Sequence, residues 1–254
     1  MDFTNQTAIA TGAASGMGLC FSENFTALGG NVVMCDVNEE ALNACVDRIN
    51  AQGKGKTIGV VCDVRDYNQV TAACEKARET FGSLDLVCNF AGGTAVRMLG
   101  ARGKYDEFPD VPIEVYDWGL DVNLKGQFYF CHAACKIMRE QKSGLIINIG
   151  SITGEEGDPD GMDYPTAKAG VMHGLTKSVA QYGSKYGIRC VCVSPGPVLT
   201  RANMANMQTL VGRAAEPQEI IDLILFVASD KGQFINGENI MIDGGRNAMG
   251  RKKS

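Results

Sequence analysis

The feature that most constrains the fold of this chain is a repeated alternation of short apolar runs with longer stretches of helical periodicity. The apolar runs are continuous, which is typical of strands buried on both faces of a parallel sheet. Seven runs predict strands: Thr7–Ala10, Asn31–Asp36, Thr57–Cys62, Leu84–Asn89, Leu145–Ile149, Ile188–Val193 and Asn239–Ile242. The expected fold class is therefore α/β, a doubly wound parallel sheet of about seven strands with helices on both faces.

The stretches between these runs have the period of amphipathic helices. Helices are predicted over about residues 18–28, 39–50, 67–81, 113–141, 164–186 and 218–229. No repeat, low-complexity segment or linker interrupts the pattern, so a single domain is expected over residues 1–254.

Three glycines follow the first strand, where the chain turns into a helix. They form the pattern Gly12-x-x-x-Gly16-x-Gly18 within the sequence TGAASGMG. Glycines let the backbone approach a pyrophosphate, and the free N–H groups of a helix amino terminus can hold it. A tight turn alone would need only one glycine. The pattern therefore favours a dinucleotide-binding loop of the Rossmann type.

Asp36 ends the second strand, eighteen residues beyond Gly18. A carboxylate at this place accepts hydrogen bonds from the ribose hydroxyls of adenosine and repels a 2′-phosphate. Neither Ser15 nor Val37 is the basic residue that would attract such a phosphate. The expected cofactor is therefore NAD rather than NADP.

Tyr164 and Lys168 are four residues apart in a predicted helix, so they share one face of it. A nearby ammonium lowers the pKa of a phenol, which makes the tyrosine a usable acid or base near neutral pH. Ser151, thirteen residues before Tyr164, follows the apolar run that ends at Ile149. Its hydroxyl is expected at the carboxyl end of that strand, where open α/β sheets bind ligands. Because an isolated Tyr-x-x-x-Lys is common by chance, the assignment depends on the other motifs.

Composition argues against several classes of protein. The net charge is −5 and no basic stripe is visible beyond Arg251-Lys252-Lys253, which argues against nucleic-acid binding. No apolar run is long enough for a membrane span and no signal-peptide pattern is visible, so a cytoplasmic protein is expected. The ten cysteines include no C-x-x-C pair, which favours reduced apolar side chains over disulfides or metal ligands. No metal site is expected.

The sequence leaves two segments open to more than one interpretation. Residues 97–112 have no clear period and are expected to form a long exposed loop, which in compact domains is more often functional than idle. Asn123 lies near the middle of the helix predicted over 113–141. A mid-helix asparagine is either a tolerated polar position or the mark of a bend or a proton relay.

In combination, these motifs resemble the short-chain dehydrogenase/reductase family in its single-domain form, over essentially the whole chain. TGAASGMG resembles the family's cofactor loop, Asp63-Val64 its adenine-contacting pair, and Asn89-Phe90-Ala91-Gly92 its Asn-Asn-Ala-Gly motif. The family's catalytic tetrad is matched in type, order and spacing by Asn123, Ser151, Tyr164 and Lys168. The segment from Pro195-Gly196 to Thr200 resembles the loop that receives the nicotinamide.

The resemblance implies an NAD(H)-dependent oxidoreductase that interconverts a secondary alcohol and a ketone, with Tyr164 as general acid/base. Lys168 would hold the nicotinamide ribose, Ser151 would bind the substrate oxygen and Asn123 would anchor a proton-conducting water. The implied cofactor contacts are Gly12, Ser15, Gly16, Met17, Gly18, Asp36, Asp63, Val64, Asn89, Ala91, Gly92, Tyr164, Lys168, Pro195, Gly196, Val198 and Thr200.

The chain departs from the family pattern in two ways. Phe90 replaces the usual second asparagine, so one polar brace of the central strand is not expected. The segment from Thr200 to Arg213 is shorter than usual, and the segment between Gly92 and Asn123 is longer. The loop Gly93–Pro112 is therefore expected to cover the pocket, with Gly100 and Gly103 as hinges. Its candidate contacts to the substrate are Arg97, Arg102, Lys104 and Tyr105. Met98, Met162, Met204 and Met207 are candidates for an adaptable apolar lining.

Two alternative functions remain open on the sequence. One is 3-oxoacyl-[acyl-carrier-protein] reduction, although this activity usually pairs with NADPH and Asp36 argues against that cofactor. The other is a non-enzymatic dinucleotide-sensing protein, because a fold does not fix a function. The family resemblance also implies a homotetramer. Six small or apolar residues on the two long predicted helices are candidates for its interface: Ala133, Ala134, Ala167, Ala169, Gly170 and Val171.

Overall fold

A computed structural model describes residues 1–52, 54–100 and 107–249 of the chain. Its seven parallel strands form one sheet in the order β3-β2-β1-β4-β5-β6-β7. The strands are β1 (Thr7–Thr11), β2 (Asn31–Asp36), β3 (Thr57–Val61), β4 (Leu86–Asn89), β5 (Gly144–Ile149), β6 (Ile188–Pro195) and β7 (Asn239–Ile242). The strand order reverses between β1 and β4, which is where doubly wound sheets open a binding crevice.

The α-helices within the described ranges are α1 (Gly16–Ala27), α2 (Glu39–Asn50), α3 (Tyr67–Phe81), α4 (Ala95–Met98), α5 (Ile113–Leu120), α6 (Gly126–Gln141), α7 (Thr153–Glu156), α8 (Asp163–Ala169), α9 (Thr176–Gly183) and α10 (Pro217–Ala228). Short 3₁₀ turns cover Phe108–Asp110, Ser184–Tyr186, Ala202–Asn206, Asp230–Gly232 and Arg246–Ala248. No helix in these ranges has the length and apolar character needed to cross a membrane.

The sheet separates two apolar cores. One core lies under α1, α2 and α10 and includes Phe21, Leu42 and Ile224. The other lies under α3, α6 and α9 and includes Val70 and Phe130. Because β1, β4, β5 and β6 contribute side chains to both cores, their sequences are apolar at successive positions. The predicted doubly wound sheet is confirmed.

The predicted start of β4 at Leu84 is wrong by two residues. Leu84 does not join the ladder, because its N–H and its carbonyl are both paired with the side-chain amide of Gln141, at 3.0 Å each. The next residue, Asp85, accepts from the N–H of Thr7 through its carboxylate at 2.8 Å. A side chain therefore satisfies the backbone of Leu84, whereas the backbone of Asp85 is already paired with Thr7 and Leu145, at 2.9 Å each.

The two long predicted helices each contain a π-helical turn. The turn Asp121–Lys125 joins α5 to α6, and the turn Gly170–Leu175 joins α8 to α9. In the second turn the Thr176 hydroxyl donates to the Val171 carbonyl at 2.8 Å. Such turns insert one extra residue and occur frequently at functional sites. Helical backbone still runs without a break over 113–141 and 163–186, so the predicted extents of the two helices are confirmed and the π-helical turns are local changes within them.

Most of the small residues expected at an oligomer interface are instead buried inside the subunit. Ala133, Ala134, Ala167 and Val171 are at most 2% exposed in the single chain. The outward faces of the same helices carry larger exposed rings, Phe128 on α6 and Tyr182 on α9. These aromatic side chains are therefore better candidates for an oligomer interface than the small residues.

Candidate active site

The glycine loop connects β1 to α1 in a shape that depends on all three glycines. Gly12 and Gly16 have φ angles of +60° and +55°, a region that side chains disfavour. Gly18 has an ordinary φ angle, but a Cβ there would lie 2.5 Å from the Gly12 carbonyl oxygen. Positive φ explains two of the glycines, and close packing of the helix on the loop explains the third.

The amino terminus of α1 opens toward this loop. Its N-cap residue, Ser15, makes no side-chain capping hydrogen bond, and the first turn carries no acidic residue. Asp36 lies beside the loop at the end of β2, where its carboxylate accepts from the N–H of Ala14 and of Asn38 at 3.0 Å each. A loop with glycines at its closest turns, an uncapped helix terminus and a fixed carboxylate fit the pyrophosphate and ribose of a dinucleotide.

The pair Asp63-Val64 follows β3 and is fixed by contacts within the chain. The Asp63 carboxylate forms an ion pair with Arg65 at 2.5 Å, and this hydrogen-bonded guanidinium lowers the pKa of Asp63. The Asp63 N–H donates to the side chain of Gln69 at 2.8 Å. Val64 is buried against Gly126 at the start of α6. Both residues of the pair are therefore held in place by neighbours within the chain.

The end of β4 is braced without the asparagine that Phe90 replaces. Asn89 donates to the Asn148 side chain of β5 at 2.9 Å, and Asn148 donates onward to Thr176 at 3.1 Å. Phe90 packs against Phe21 with 5.6 Å between ring centroids. The polar brace therefore lies in the sheet interior, while position 90 contributes to the apolar core.

The backbone after β4 lies close to both the glycine loop and Asn123. The N–H of Ala91 donates to the Thr11 hydroxyl at 2.9 Å. A Cβ on Gly92 would lie 2.6 Å from the Asn123 side-chain oxygen. Any side chain at position 92 would therefore displace Asn123.

Asn123 is fully buried within the first π-helical turn. Its side-chain oxygen accepts from the N–H of Gly93 at 2.9 Å, and its side-chain nitrogen donates to the carbonyls of Gly93 and Gly119 at 2.8 and 2.9 Å. The sequence left open whether this asparagine is a tolerated polar residue or marks a bend or a proton relay. In the structure it lies at a local change of helical geometry. The same bonds hold the Gly92–Gly93 backbone.

Lys168 is 2% exposed and donates from its ammonium to the Ile149 carbonyl at 2.7 Å. Burial lowers its pKa from 10.5 to about 8. The ammonium lies 5.4 Å from the centroid of the Tyr164 ring, on the same helix. A lysine with this pKa still carries its proton for most of the time at neutral pH.

Ser151 follows β5 and accepts from the N–H of Thr153 at 3.2 Å, while the two hydroxyl oxygens are 2.9 Å apart. Ser151 and Tyr164 both line a pocket of about 330 Å³ at the carboxyl edge of the sheet. The walls of the pocket are Met17, Gly93, Thr94, Ile149, Gly150, Ser151, Ile152, Thr153, Asp158, Tyr164, Pro195, Gly196, Pro197, Val198, Thr200, Arg201, Met204 and Met207.

The pocket combines groups that the sequence places far apart. Pro195, Gly196, Val198 and Thr200 form one wall, as expected for a loop that receives a nicotinamide. Of the four candidate methionines, Met204 and Met207 reach the pocket lining, and Met17 of the glycine loop joins them. Met98 and Met162 are not part of that lining and are 50% and 36% exposed.

The segment after Thr200 reaches the pocket despite its short length. Arg201, Met204 and Met207 line it, so this segment contributes to the pocket wall, as does the loop that begins at Gly93. Gly93 and Thr94, at the start of the other loop, also line the pocket. The predicted contacts from Arg102, Lys104 and Tyr105 and the hinge at Gly103 lie outside the described residues, as does the side chain of Arg97.

Sequence reasoning missed several polar residues of the site. Thr153, Asp158 and Arg201 line the pocket, and Gln127 and Asn148 connect the elements behind it. Thr153 is the one with a sequence signal, because it lies two residues from Ser151 beyond a strand end. The others become visible only when distant segments are brought together.

All ten cysteines lie in the described segments and none forms a disulfide. Within those segments no three histidine, cysteine or acidic side chains converge to hold a metal ion. Burial raises the pKa of the thiols of Cys88 and Cys192, the latter to about 11. These thiols are therefore neutral and poorly nucleophilic near neutral pH.

Comparison with known proteins identifies the family. A family model described as enoyl-(acyl carrier protein) reductase matches residues 12–247. Together with the relatives described below, this match shows that the chain belongs to the short-chain dehydrogenase/reductase family. It is therefore an oxidoreductase of that family, and the resemblance inferred from its motifs is confirmed.

Relatives of different activity cover nearly the whole chain. Trans-4-hydroxycyclohexanecarboxylate dehydrogenase of Sinomonas cyclohexanicum is 38% identical over 96% of this chain and 93% of that protein. 3-Oxoacyl-[acyl-carrier-protein] reductase of Escherichia coli (strain K12) is 32% identical over 96% of this chain and 98% of that protein. A crystal structure of a 3-oxoacyl-[acyl-carrier protein] reductase with bound NAD from Brucella melitensis has a TM-score of 0.86 at 26% identity, over 96% and 92% of the two chains.

Proposed function

We propose that this protein is an NAD(H)-dependent oxidoreductase that interconverts a secondary alcohol and a ketone. The observation that carries the proposal is the buried ammonium of Lys168, 5.4 Å from the Tyr164 ring, behind a pocket that Tyr164 and Ser151 both line. A nearby ammonium favours the phenolate form of tyrosine, which makes the hydroxyl a usable acid or base. NAD would supply the hydride acceptor, and NADH the donor in reverse.

In this proposal each residue acts at a stated atom. The Tyr164 oxygen takes the proton from the substrate alcohol as a phenolate, and as a phenol it returns that proton to the ketone oxygen. The Ser151 hydroxyl donates to the same substrate oxygen and stabilises charge that develops there. Lys168 keeps the phenol acidic and holds the nicotinamide ribose. Asn123 holds the Gly92–Gly93 backbone against the pocket.

The same proposal assigns the cofactor contacts. The glycine loop and the amino terminus of α1 would hold the pyrophosphate, and Asp36 would accept from the adenosine ribose hydroxyls. The wall from Pro195 to Thr200 would receive the nicotinamide. Because Asp36 is negative and already fixed by two backbone N–H groups, it would disfavour a 2′-phosphate.

The cofactor assignment is tested by steady-state kinetics with both nucleotides. Wild-type protein should have a kcat/KM for NAD about a hundredfold or more above that for NADP, since two nearby negative charges cost on the order of a few kcal/mol. Asp36→Ala should narrow the ratio, whereas Glu39→Ala, an exposed acidic residue on α2, should leave it unchanged. A wild-type preference for NADP would contradict the assignment.

The pocket and the relatives suggest where to search for the substrate. Its lining combines the apolar side chains of Met17, Met204 and Met207 with the charged groups of Arg201 and Asp158. One relative at 38% identity is named for a hydroxycyclohexanecarboxylate. We therefore propose small cyclic or branched hydroxy acids, with Arg201 facing the carboxylate, as the first compounds to test.

A second candidate activity is the reduction of 3-oxoacyl thioesters. It is favoured by the relative of that name at 32% identity, and the neighbour solved with bound NAD carries the same name, so a preference for NAD would not exclude it. A panel of secondary hydroxy acids, plain secondary alcohols and a 3-oxoacyl thioester, followed by NADH absorbance, separates the two. Turnover confined to the thioester would replace the proposed hydroxy-acid substrate, and NADH binding without turnover of any compound would favour a sensor.

The setting of the reaction is part of the proposal. Unpaired cysteines throughout the described segments are compatible with a reducing compartment, and we propose that the protein acts in the cytoplasm. We also propose that it assembles as a homotetramer, as its family suggests.

A further inference from the structure

Gln127 is a buried polar residue that none of the sequence motifs includes. It lies in the first turn of α6, one helical turn beyond Asn123, and is 2% exposed. Its side-chain nitrogen donates to the carbonyls of Asn123 and Ile149 at 3.1 and 3.0 Å, and its side-chain oxygen accepts from the N–H of Ile149 at 3.2 Å. The side-chain amide thus pairs with both the N–H and the carbonyl of Ile149, as the backbone of a neighbouring strand would.

The Ile149 carbonyl is also the acceptor for Lys168. The ammonium donates to it at 2.7 Å and the Gln127 amide at 3.0 Å, and a carbonyl oxygen has two lone pairs for such bonds. Ile149 is the last residue of β5, two residues before Ser151. One side chain therefore fixes the strand end that presents the serine and the oxygen that anchors the lysine.

We propose that Gln127 is a positioning residue of the active site, which sets the place of the Lys168 ammonium through the Ile149 carbonyl and ties it to the Asn123 backbone. The inference depends on the proposed dehydrogenase function. Gln127 does not line the pocket, so its effect must pass through the residues that it holds. Displacements well below 1 Å in such groups alter rates, and a misplacement of about 1 Å can cost about a hundredfold.

The electrostatic surroundings of Lys168 make the proposal measurable by pH. The ammonium faces the Tyr164 ring on its own helix and the Cys192 thiol on β6. Four acidic groups on α8 and on the elements packed around it have other partners: Asp163 accepts from Ala95, Glu155 pairs with His173, Glu156 with Arg246 and Asp121 with Lys125. The other two, Glu114 and Asp117 on α5, are exposed. A charge placed at position 127 would therefore act on Lys168 with few competing carboxylates nearby.

A matched control is present at the other end of the same helix. The Gln141 side chain accepts from the N–H of Leu84 and donates to its carbonyl, each at 3.0 Å, at the opposite edge of the sheet. Its amide has the same local structural role but no link to Lys168. Substitutions at 127 and 141 therefore separate a loss of stability from a loss of positioning.

The experiment compares Gln127→Met, Gln127→Glu, Gln141→Met and Gln141→Glu with the wild type in thermal unfolding, NADH binding and kinetics across pH. Methionine preserves length and flexibility without the hydrogen bonds. We expect both methionine variants to lower Tm, but only Gln127→Met to lower kcat, by about tenfold to a hundredfold, with a much smaller change in KM for the substrate.

Gln127→Glu tests the donated hydrogen bonds directly, because it keeps the shape of the side chain. An oxygen replaces the amide nitrogen opposite the carbonyls of Asn123 and Ile149, so one donated bond is lost while the new carboxyl is protonated and both are lost when it ionises. The ratio of its kcat to the wild-type kcat should therefore fall as pH rises through the pKa of the new carboxyl, whereas the ratio for Gln141→Glu should stay constant.

Either of two results would overturn the inference. One is a kcat in Gln127→Met equal to that of the wild type, and the other is a kcat in a folded Gln127→Glu equal to that of the wild type at every pH. Should Gln127→Met fail to fold, the isosteric glutamate variant decides alone. Absence of turnover in the wild type with every compound would instead contradict the proposed function.

Discussion

Lys168 carries an ammonium group that is almost fully buried and donates to the Ile149 carbonyl. Burial disfavours the charged form, so the pKa falls from 10.5 to about 8. The folded chain therefore binds this proton more weakly than the unfolded chain does. Burying the charged lysine costs stability at pH 7, by up to about 3 kcal/mol at about 1.4 kcal/mol per pKa unit.

This burial predicts a pH signature in the cofactor-free protein. Between pH 8 and 10.5 the unfolded state binds more protons at Lys168 than the folded state, so the contribution of this residue to stability rises with pH. The unfolding free energy of wild type minus that of Lys168→Met should become more positive across this window, by up to about 3 kcal/mol. Urea unfolding at several pH values measures it. Lys177→Met, at an exposed lysine of α9, is the control, and parallel pH curves for wild type and Lys168→Met would contradict the prediction.

Tyr164 offers the most direct test of the proposed chemistry. In Tyr164→Phe only the proton-transferring hydroxyl is removed, so we expect kcat to fall by about a hundredfold to ten-thousandfold while NADH affinity and Tm change little. Steady-state kinetics measure kcat, and a fluorescence titration measures the affinity for NADH. Tyr182→Phe, at an exposed ring of α9, should retain wild-type activity. Near-normal turnover in Tyr164→Phe would refute the proposed mechanism.

At the scale of elements, α5 packs closely against the start of α8. Gly119 lies against the Asp163 carboxylate, and a Cβ at position 119 would overlap it. Asp163 is buried, accepts from the Ala95 N–H at 3.4 Å, and immediately precedes Tyr164. Burial raises the pKa of Asp163. A side chain at 119 therefore has to displace the segment that carries the tyrosine.

Gly119→Ala should accordingly destabilise the protein, although alanine is normally the better helix former. Overpacking of this kind costs about 1–3 kcal/mol, and the shift of α8 should lower kcat as well. Gly174→Ala is the matched control, because a Cβ there meets nothing within 4 Å. That variant should be neutral or more stable by up to about 1 kcal/mol. Thermal unfolding and kcat are the measurements; equal behaviour of the two variants would contradict the packing argument.

At the scale of the whole molecule, exposed aromatic side chains favour assembly into an oligomer. Phe128 is 48% exposed on α6 and Tyr182 is 40% exposed on α9, while Phe234, beyond α10, is fully exposed. Large apolar side chains on helix faces favour burial against another subunit, and closed symmetry would bury each face once per copy.

We therefore predict a homotetramer at micromolar concentration, measured by light scattering. Phe128→Glu should reduce the mass by placing a charge on the face of α6. Val61→Glu, at an exposed apolar residue of β3, should leave the mass unchanged. A monomeric mass for the wild type would exclude the predicted assembly.

The sequence alone determined the fold class, because continuous apolar runs and helical periods are local properties of the chain. It also located the glycine loop and the pocket residues Ser151 and Tyr164. The glycine loop and Ser151 each follow the end of a predicted strand, and Tyr164 shares a helix face with Lys168. Lys168 was included by the same helical spacing. These predictions needed only neighbours within a few positions or the ends of predicted strands.

Only the tertiary structure decided the features that depend on contacts between distant segments. The start of β4 depends on Gln141, fifty-seven residues after Leu84. The Asn89–Asn148–Thr176 bonds, the seating of Gln127 on Ile149 and the reach of Met204 into the pocket depend likewise on where the folded elements meet. The π-helical turns were signalled only by a mid-helix asparagine in the first, and two glycines lie in the second, which did not determine the helix type there. Local pattern cannot encode these features, because the hydrogen-bond partners and the packing space come from other parts of the chain.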